Sequence, residues 1–300
     1  MSDARREVIR SLAANIAIAC AKAVASVISG SGAMLAETLH SFADCGNQIL
    51  LLVGVRSSRK PADAKHPLGY GRAAYFYSFI VAQLLFVGGG VFSIREGVEK
   101  LLHPEPIGDI RVAMVILGFS MLLEGWSLRS NLREIAKRRG STSLWRYLRD
   151  TKDSDLILVL GENAADVIGL ALAAAALLLS YETGDGRWDA LGSFAIGAVL
   201  VGVATFLARE VKSLLVGEAA DPALRTKIEE LAAADPNIER VLAVLAVQQG
   251  PGEIMLAMKL AMRAGLETSQ LVDAINAFER VLKKAVPEIR WSFIEPDDAD

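Results

Sequence analysis

Six apolar blocks, at about residues 6–30, 34–56, 73–100, 110–133, 155–181 and 188–211, follow one another along the chain. Each is near the ~20 residues that an α-helix needs to cross the hydrocarbon core of a bilayer. A soluble chain of 300 residues normally buries one core behind a polar surface, whereas here the apolar residues are gathered in the first two thirds. With 52% hydrophobic and 22% charged residues and a mean hydropathy of +0.35, the chain is neither disordered nor fibrous, and a bilayer is its expected solvent. The formal charge of −3 excludes nucleic-acid binding as its main task, because neutralising phosphates needs a basic face. Both cysteines, Cys20 and Cys45, lie inside apolar blocks, so reduced thiols are expected rather than a disulfide framework. The polar opening MSDARREVIR lacks the pattern of a removable signal peptide.

The second and third blocks are the least apolar: they carry His40, Asp44, Asn47, Gln48 and Gln83. Such a segment survives in a membrane only if its polar face looks into a bundle or a wet cavity. Small residues, as in Gly88-Gly89-Gly90 and 171–176, permit close approach of neighbouring helices. Basic residues set the orientation. Eighteen Lys and Arg fall in the N-terminal arm, the second-to-third and fourth-to-fifth connections and just after the sixth block, against four in the alternate connections. The positive-inside rule then predicts a multi-pass protein with both termini cytoplasmic, and the bacterial inner membrane is the expected location.

After about Gly217 the composition becomes that of a soluble module. Leu224, Ile228 and Leu231 recur at helical spacing; 238–247 reads as a strand that turns at Gly250-Pro251-Gly252; Ile254, Leu256, Met258 and Leu260 alternate as a half-buried strand. A helix through Leu271, Ile275, Phe278 and Leu282 and a strand through Ile289, Trp291 and Phe293 complete the order helix, strand, strand, helix, strand. Two domains are expected: a six-helix membrane bundle over 1–215, and a cytoplasmic α+β domain over 216–300 whose uncovered sheet face suits dimerisation.

Two i, i+4 pairs carry the chemistry: His40 with Asp44 in LAETLHSFADCGNQ, and Glu162 with Asp166 in LVLGENAADVIGL. Each pair sits on one helix face a single turn apart. If the faces oppose one another they present one imidazole and three carboxylates, a donor set suited to a divalent transition metal at tetrahedral geometry. A purely structural His–carboxylate contact would explain one pair; two pairs at matched spacing inside membrane helices favour a functional site, given the cost of burying charge.

These pairs, together with HPLGYGR at 66–72, EGVEKLLHPEPI at 96–107 and the C-terminal α+β module, resemble the cation diffusion facilitator family over nearly the whole chain. The resemblance implies a six-helix transport domain with a ferredoxin-like cytoplasmic domain, acting as a homodimeric metal/proton antiporter whose transport site uses His40, Asp44, Glu162 and Asp166. The family's commoner fifth-helix pattern has histidine where this chain has Glu162. A carboxylate there makes the site harder and more anionic, which admits Mn, Fe or Co alongside Zn, the first expectation. The metal is cargo; no cofactor is expected. All four donors bind metal only when deprotonated, so protons and metal compete, and His40 titrates naturally near neutrality.

Other residues stand in second rank. Glu124 reads as part of a proton route, as support for the metal donors or as an ordinary helix–helix contact; Asn15 and Asn47 are placed beside it, and Lys22 either neutralises a carboxylate or snorkels. Asp63 and His66 fall where some relatives hold an accessory metal, yet HPLGYGR reads equally as a turn that pins the third helix. His103, before Pro104 in an outer connection, reads as solvated. Trp145 and Leu148, with nearby arginines, suggest a short amphipathic helix at the membrane surface or ordinary packing. The C-terminal module holds no His or Cys. An intramembrane metalloenzyme and a non-transporting metal sensor are the competing classes; no HExxH, no GxSxG and no nucleophile–base pair supports an enzyme.

Overall fold

A computed structural model describes residues 3–104, 108–151 and 154–298. The last three residues of the 96–107 run, and Lys152 of the basic fourth-to-fifth connection, fall outside these. The chain forms two compact units: Met1–Gly54, Tyr77–Leu148 and Asp155–Val211 make the first, and Val55–Phe76, Arg149–Ser154 and Lys212–Asp300 the second.

The first unit is helical. Its long elements are α1 (Asp3–Ser29), α2 (Gly32–Ser58), the consecutive helices α3 (Ala73–Leu84) and α4 (Phe92–Leu102), then α5 (Arg111–Arg139), α7 (Ser154–Thr183) and α8 (Arg187–Val216); the short α6 (Leu144–Asp150) lies between α5 and α7. Among the described residues, four stretches are long and apolar enough to cross a membrane: Ala73–Leu102, Arg111–Arg139, Leu156–Thr183 and Arg187–Val216. Helix α1 contributes a shorter apolar stretch, Asn15–Ser29. Helix α2 is as long as the others, but its polar residues, His40, Asp44, Asn47 and Gln48 among them, lower its apolarity.

The third block departs from the expected single α-helix. Between α3 and α4 the backbone widens into a π-helical stretch at Leu85–Val91, around Gly88-Gly89-Gly90. A Cβ on Gly90 would lie 2.6 Å from Val201 Cγ2 and 2.8 Å separates a Cβ on Gly197 from Gly90 O, so this stretch meets the α8 backbone directly.

Met34, Leu85, Leu117, Leu158, Leu170, Leu177, Ile196 and Leu200 fill the centre of the bundle. On α5 the outward side chains Val115, Leu122 and Trp126 are 72%, 74% and 76% exposed, an apolar exterior suited to lipid rather than water. One end of the bundle is tied by hydrogen bonds: Gly108 N donates to Ser29 O, and Gly32 N donates to Asp189 Oδ2 at 2.6 Å. The end of α1 and the starts of α2, α5 and α8 therefore lie together. The start of α7 and the ends of α2 and α5 lie toward the opposite end.

In the second unit, α9 (Pro222–Ala233) starts with Asp221 accepting from Ala223 N and proline in the first turn. Strands β1 (Ile238–Gly250) and β2 (Glu253–Met262) form an antiparallel hairpin; α10 (Thr268–Ala285) crosses over so that β3 (Ile289–Pro296) pairs parallel to β2, giving the order β1-β2-β3. Leu256, Leu260, Phe278 and Leu282 form the core between sheet and helices. On the sheet's other face, Leu245 and Phe293 are 59% and 57% exposed. The 55–76 connection belongs to this unit because Gly71 lies against the hairpin: a Cβ on Gly71 would sit 2.6 Å from Gln249 O, and one on Gly250 2.7 Å from Gly71 Cα.

Candidate metal centre

Helical periodicity places His40 and Asp44 on one face of α2 and Glu162 and Asp166 on one face of α7, and packing turns these faces toward each other. His40 Nε2 lies 2.7 Å from Asp166 Oδ1, and its Nδ1 lies 3.6 Å from Asp44 Oδ1. Donor atoms of His40, Asp44 and Asp166 all fall within 4.8 Å of one another. Tetrahedral zinc, with bonds of ~2.0–2.2 Å, spaces its donors about 3.3 Å apart, so ligation needs His40 Nε2 and Asp166 Oδ1 to part slightly from 2.7 Å and the wider spacings to close.

The hydrogen bonding points the same way. The imidazole of His40 is fully buried; its Nε2 is paired with Asp166, whereas its Nδ1 and Asp44 Oδ1, 3.6 Å apart, have no hydrogen-bond partner. Orphaned buried polar atoms are costly and uncommon in folded proteins, and here they converge on one point. Four acidic side chains, Asp44, Glu124, Glu162 and Asp166, line a cavity of about 410 Å³ together with Asn15, Gln48 and Asn131.

Glu162 is not part of the three-residue cluster. Its Oε1 accepts a hydrogen bond from Asn47 Nδ2 at 2.7 Å, so it faces the cavity one turn from Asp166. Asn47, placed beside the site from sequence, is fully buried and orients Glu162. Asn15 and Glu124 both line the cavity. The lining runs along α2 from Ser41 to Leu51 and along α7 from Val159 to Asp166, so the cavity extends from the level of His40 toward the end of α2 and the start of α7.

With this geometry in place, residues 8–216 match the family model described as the cation efflux transmembrane domain. The chain belongs to the cation diffusion facilitator family. It is 34% identical over 268 residues to a Xenopus laevis protein named proton-coupled zinc antiporter SLC30A9, mitochondrial, covering 87% of this chain and 48% of the relative. To metal tolerance protein C4 of Arabidopsis thaliana it is 34% identical over 227 residues, 75% of this chain and 50% of the relative. A shorter match, 33% over 98 residues, covers 32% of this chain and 31% of the magnetosome protein MamM of Magnetospirillum gryphiswaldense. The chain thus spans about half the length of the first two.

In this cation diffusion facilitator, Lys22 does not snorkel. It is 2% exposed, and its Nζ donates to Glu37 Oε2 at 3.2 Å and to Ser41 Oγ at 2.7 Å. Glu37, fully buried, was not singled out from the sequence, although it stands three residues before His40 on the same face. Asp189, at 1% exposure on α8, was missed as well: it accepts from Ser31 Oγ, Gly32 N and Ala33 N and pairs with Lys100 Nζ at 3.5 Å, while Ser31 Oγ caps α2 by accepting from Met34 N.

The 63–70 connection is organised by Asp63. Its Oδ1 accepts from the backbone N–H of Lys65 and His66, and its Oδ2 accepts from Tyr70 Oη at 2.7 Å. Those bonds, Tyr70 first, hold the Asp63 carboxyl below its ordinary range. Both carboxylate oxygens are engaged in the turn and His66 stacks on Tyr70 with centroids 4.1 Å apart, which supports the turn reading over an accessory metal. His103 is exposed beyond α4. In α6, Leu148 packs with Ile135 and Leu160 while Trp145 stacks on Phe206 at 5.9 Å and stays 61% exposed.

Proposed function

We propose that this protein exports divalent transition-metal ions across its membrane in exchange for protons, with Zn²⁺ the first substrate and Mn²⁺, Fe²⁺ and Co²⁺ as further ones. The observation that carries the reading is the meeting of His40, Asp44 and Asp166 with unsatisfied donor atoms inside the helical bundle. Glu162 reaches the ion as fourth donor by releasing Asn47; Glu124 and Asn15 serve proton and water access along the cavity. Imidazole and carboxylates bind metal only when deprotonated, so protonation from the acidic side expels the ion and return to the neutral side reloads the site. Alternating access between the two ends completes an antiport cycle, and no bond of the cargo is made or broken, so the protein is a transporter rather than an enzyme.

A relative named as a proton-coupled zinc antiporter and another named as a metal tolerance protein support zinc and proton coupling. The domain reading is a six-helix transport domain over 1–215, with α1 and α2 as its first two membrane helices beside the four more apolar stretches, and a ferredoxin-like domain over 216–300. Both termini face the compartment that holds the basic connections. The mitochondrial relatives lend no support to the expected bacterial inner membrane, and an energised membrane is the broader reading. The exposed apolar sheet face around Ala243, Leu245, Ala257 and Phe293 suits a second copy of the chain, making the transporter a homodimer.

Purified protein in vesicles tests this directly. An imposed pH gradient is expected to drive Zn²⁺ accumulation, and a Zn²⁺ gradient to acidify or alkalise the lumen in return; metal binding without flux in either direction would leave the sensor reading. For selectivity, Glu162→His is expected to raise Zn²⁺ preference over Mn²⁺ by about tenfold, since imidazole is the softer donor. Competition flux on wild type and variant measures it, and identical preference series would remove Glu162 from the metal's reach.

A further inference from the structure

The geometry points to a second cation position, Glu37, on the far side of the His40 layer from the cavity, closed in this structure by the ammonium of Lys22. This rests on the transport reading above and extends its path by one turn.

Glu37 precedes His40 by three residues on α2, and Gly169 follows Asp166 by three on α7, so both stand one helical turn farther toward the end tied by Asp189. The cavity stops short of them: its α2 lining begins at Ser41 and its α7 lining ends at Asp166. The first layer beyond that point is polar, made by Lys22 and Glu37, and the apolar packing of Met34, Leu170 and Leu177 lies past it. Lys22 and Glu37 are 2% and 0% exposed. Lys22 Nζ holds Glu37 Oε2 and Ser41 Oγ together, and the other carboxylate oxygen, Glu37 Oε1, has no hydrogen-bond partner. That oxygen is directed at Gly169, where a Cβ would collide with it, so α7 makes room for the carboxylate at this one residue.

An ion that leaves His40, Asp44 and Asp166 away from the basic connections therefore meets the Glu37 carboxylate next, an oxygen donor suited to a hard or borderline divalent cation, while Ser41 Oγ holds Lys22 from the cavity side. A buried carboxylate with one free oxygen is costly in an apolar bundle, and the tethered ammonium reduces that cost while no ion is present. Lys22 thus stands in for the travelling cation: it keeps the second position filled when the path is closed and gives it up when the ion moves through. Being held by a single flexible side chain, it can leave without unfolding α1.

The test uses the full chain and Zn²⁺ itself. In detergent, equilibrium dialysis of Lys22→Met is expected to find one more Zn²⁺ per chain than wild type, and Lys22→Met/Glu37→Gln to lose that extra ion again. An unchanged count in Lys22→Met overturns the assignment. Glu37→Gln alone, which keeps the side-chain shape and an acceptor for Lys22, is expected in vesicles to lower turnover about tenfold with KM within twofold of wild type; unchanged turnover overturns the assignment even where Lys22→Met does not fold. Asp166→Asn separates this proposal from the one beneath it. Loss of the central ion in Asp166→Asn, with no extra ion in Lys22→Met, sinks the Glu37 position and leaves the central site standing.

Discussion

Asp166→Ala is expected to lower Zn²⁺ flux at least about 100-fold while leaving the protein folded. Mutating groups that only orient a metal's ligands commonly costs ~10–100-fold, so deleting a donor that itself converges on the ion sets that range as a floor. Asp166 is that donor: it is the α7 member of the cluster, 8% exposed and 2.7 Å from His40 Nε2, and nothing on α7 replaces it while Glu162 is engaged by Asn47. Stability behaves differently. Asp44, Glu162 and Glu37 stand in the same region, so removing one carboxylate relieves like-charge repulsion even as it strands His40. The melting temperature of the purified variant is accordingly expected within a few degrees of wild type, whereas the flux collapses. Asp44→Ala should follow the same pattern from α2. Glu124→Gln, which alters the cavity wall but not the cluster, should retain a measurable fraction of the flux. Near-normal flux in folded Asp166→Ala would refute the central site.

The site was legible because its elements are periodic. An i, i+4 pair on a helix must share a face, so LAETLHSFAD and GENAAD display their polar faces in one dimension, and burial cost says the faces must find each other. What spacing does not carry is the partner of each carboxylate. Depth within the span favours Asp44 and Asp166, but only the α2–α7 contact brings Asp166 to His40 and leaves Glu162 to Asn47, 115 residues away in the chain. The αββαβ order was readable from alternation at Ile254, Leu256, Met258 and Leu260 and from the glycine turn, and the parallel β2–β3 pair follows from the crossover helix that joins them. The widened stretch at Leu85–Val91 was not readable: three glycines announce close approach, but only the α8 backbone against Gly90 says where the helix must yield. Lys22 illustrates the same limit. A lysine in an apolar helix has two solutions, snorkelling or pairing, and the choice is made by Glu37 and Ser41, 15 and 19 residues on.

Asp189→Ala is expected to be the most destabilising single substitution argued for this bundle, costing roughly 3–5 kcal/mol, the range for breaking a buried charge pair by removing one partner. A helix start leaves its first N–H groups without partners inside the helix, and at α2 those groups are buried, so water cannot take them over. Asp189 supplies the missing acceptors from another helix: Gly32 N and Ala33 N both donate to it, and Ser31 Oγ donates to it while accepting from Met34 N. It also holds Lys100, whose Nζ donates to Gly30 O. Alanine at 189 therefore orphans backbone donors and a cation at once. Asp189→Asn keeps an acceptor but loses the charge, and should fall between wild type and alanine. The effect reaches the site because α2 carries both His40 and Asp44: freeing its first turn lets the whole helix shift, which should raise the KM for Zn²⁺ in whatever fraction stays folded. Thermal unfolding in detergent, with Lys100→Met and the double variant completing a cycle, measures the coupling between the two charges. Additive losses would remove Lys100 from the argument, and an Asp189→Ala protein within about 0.5 kcal/mol of wild type would mean that α2 is anchored elsewhere.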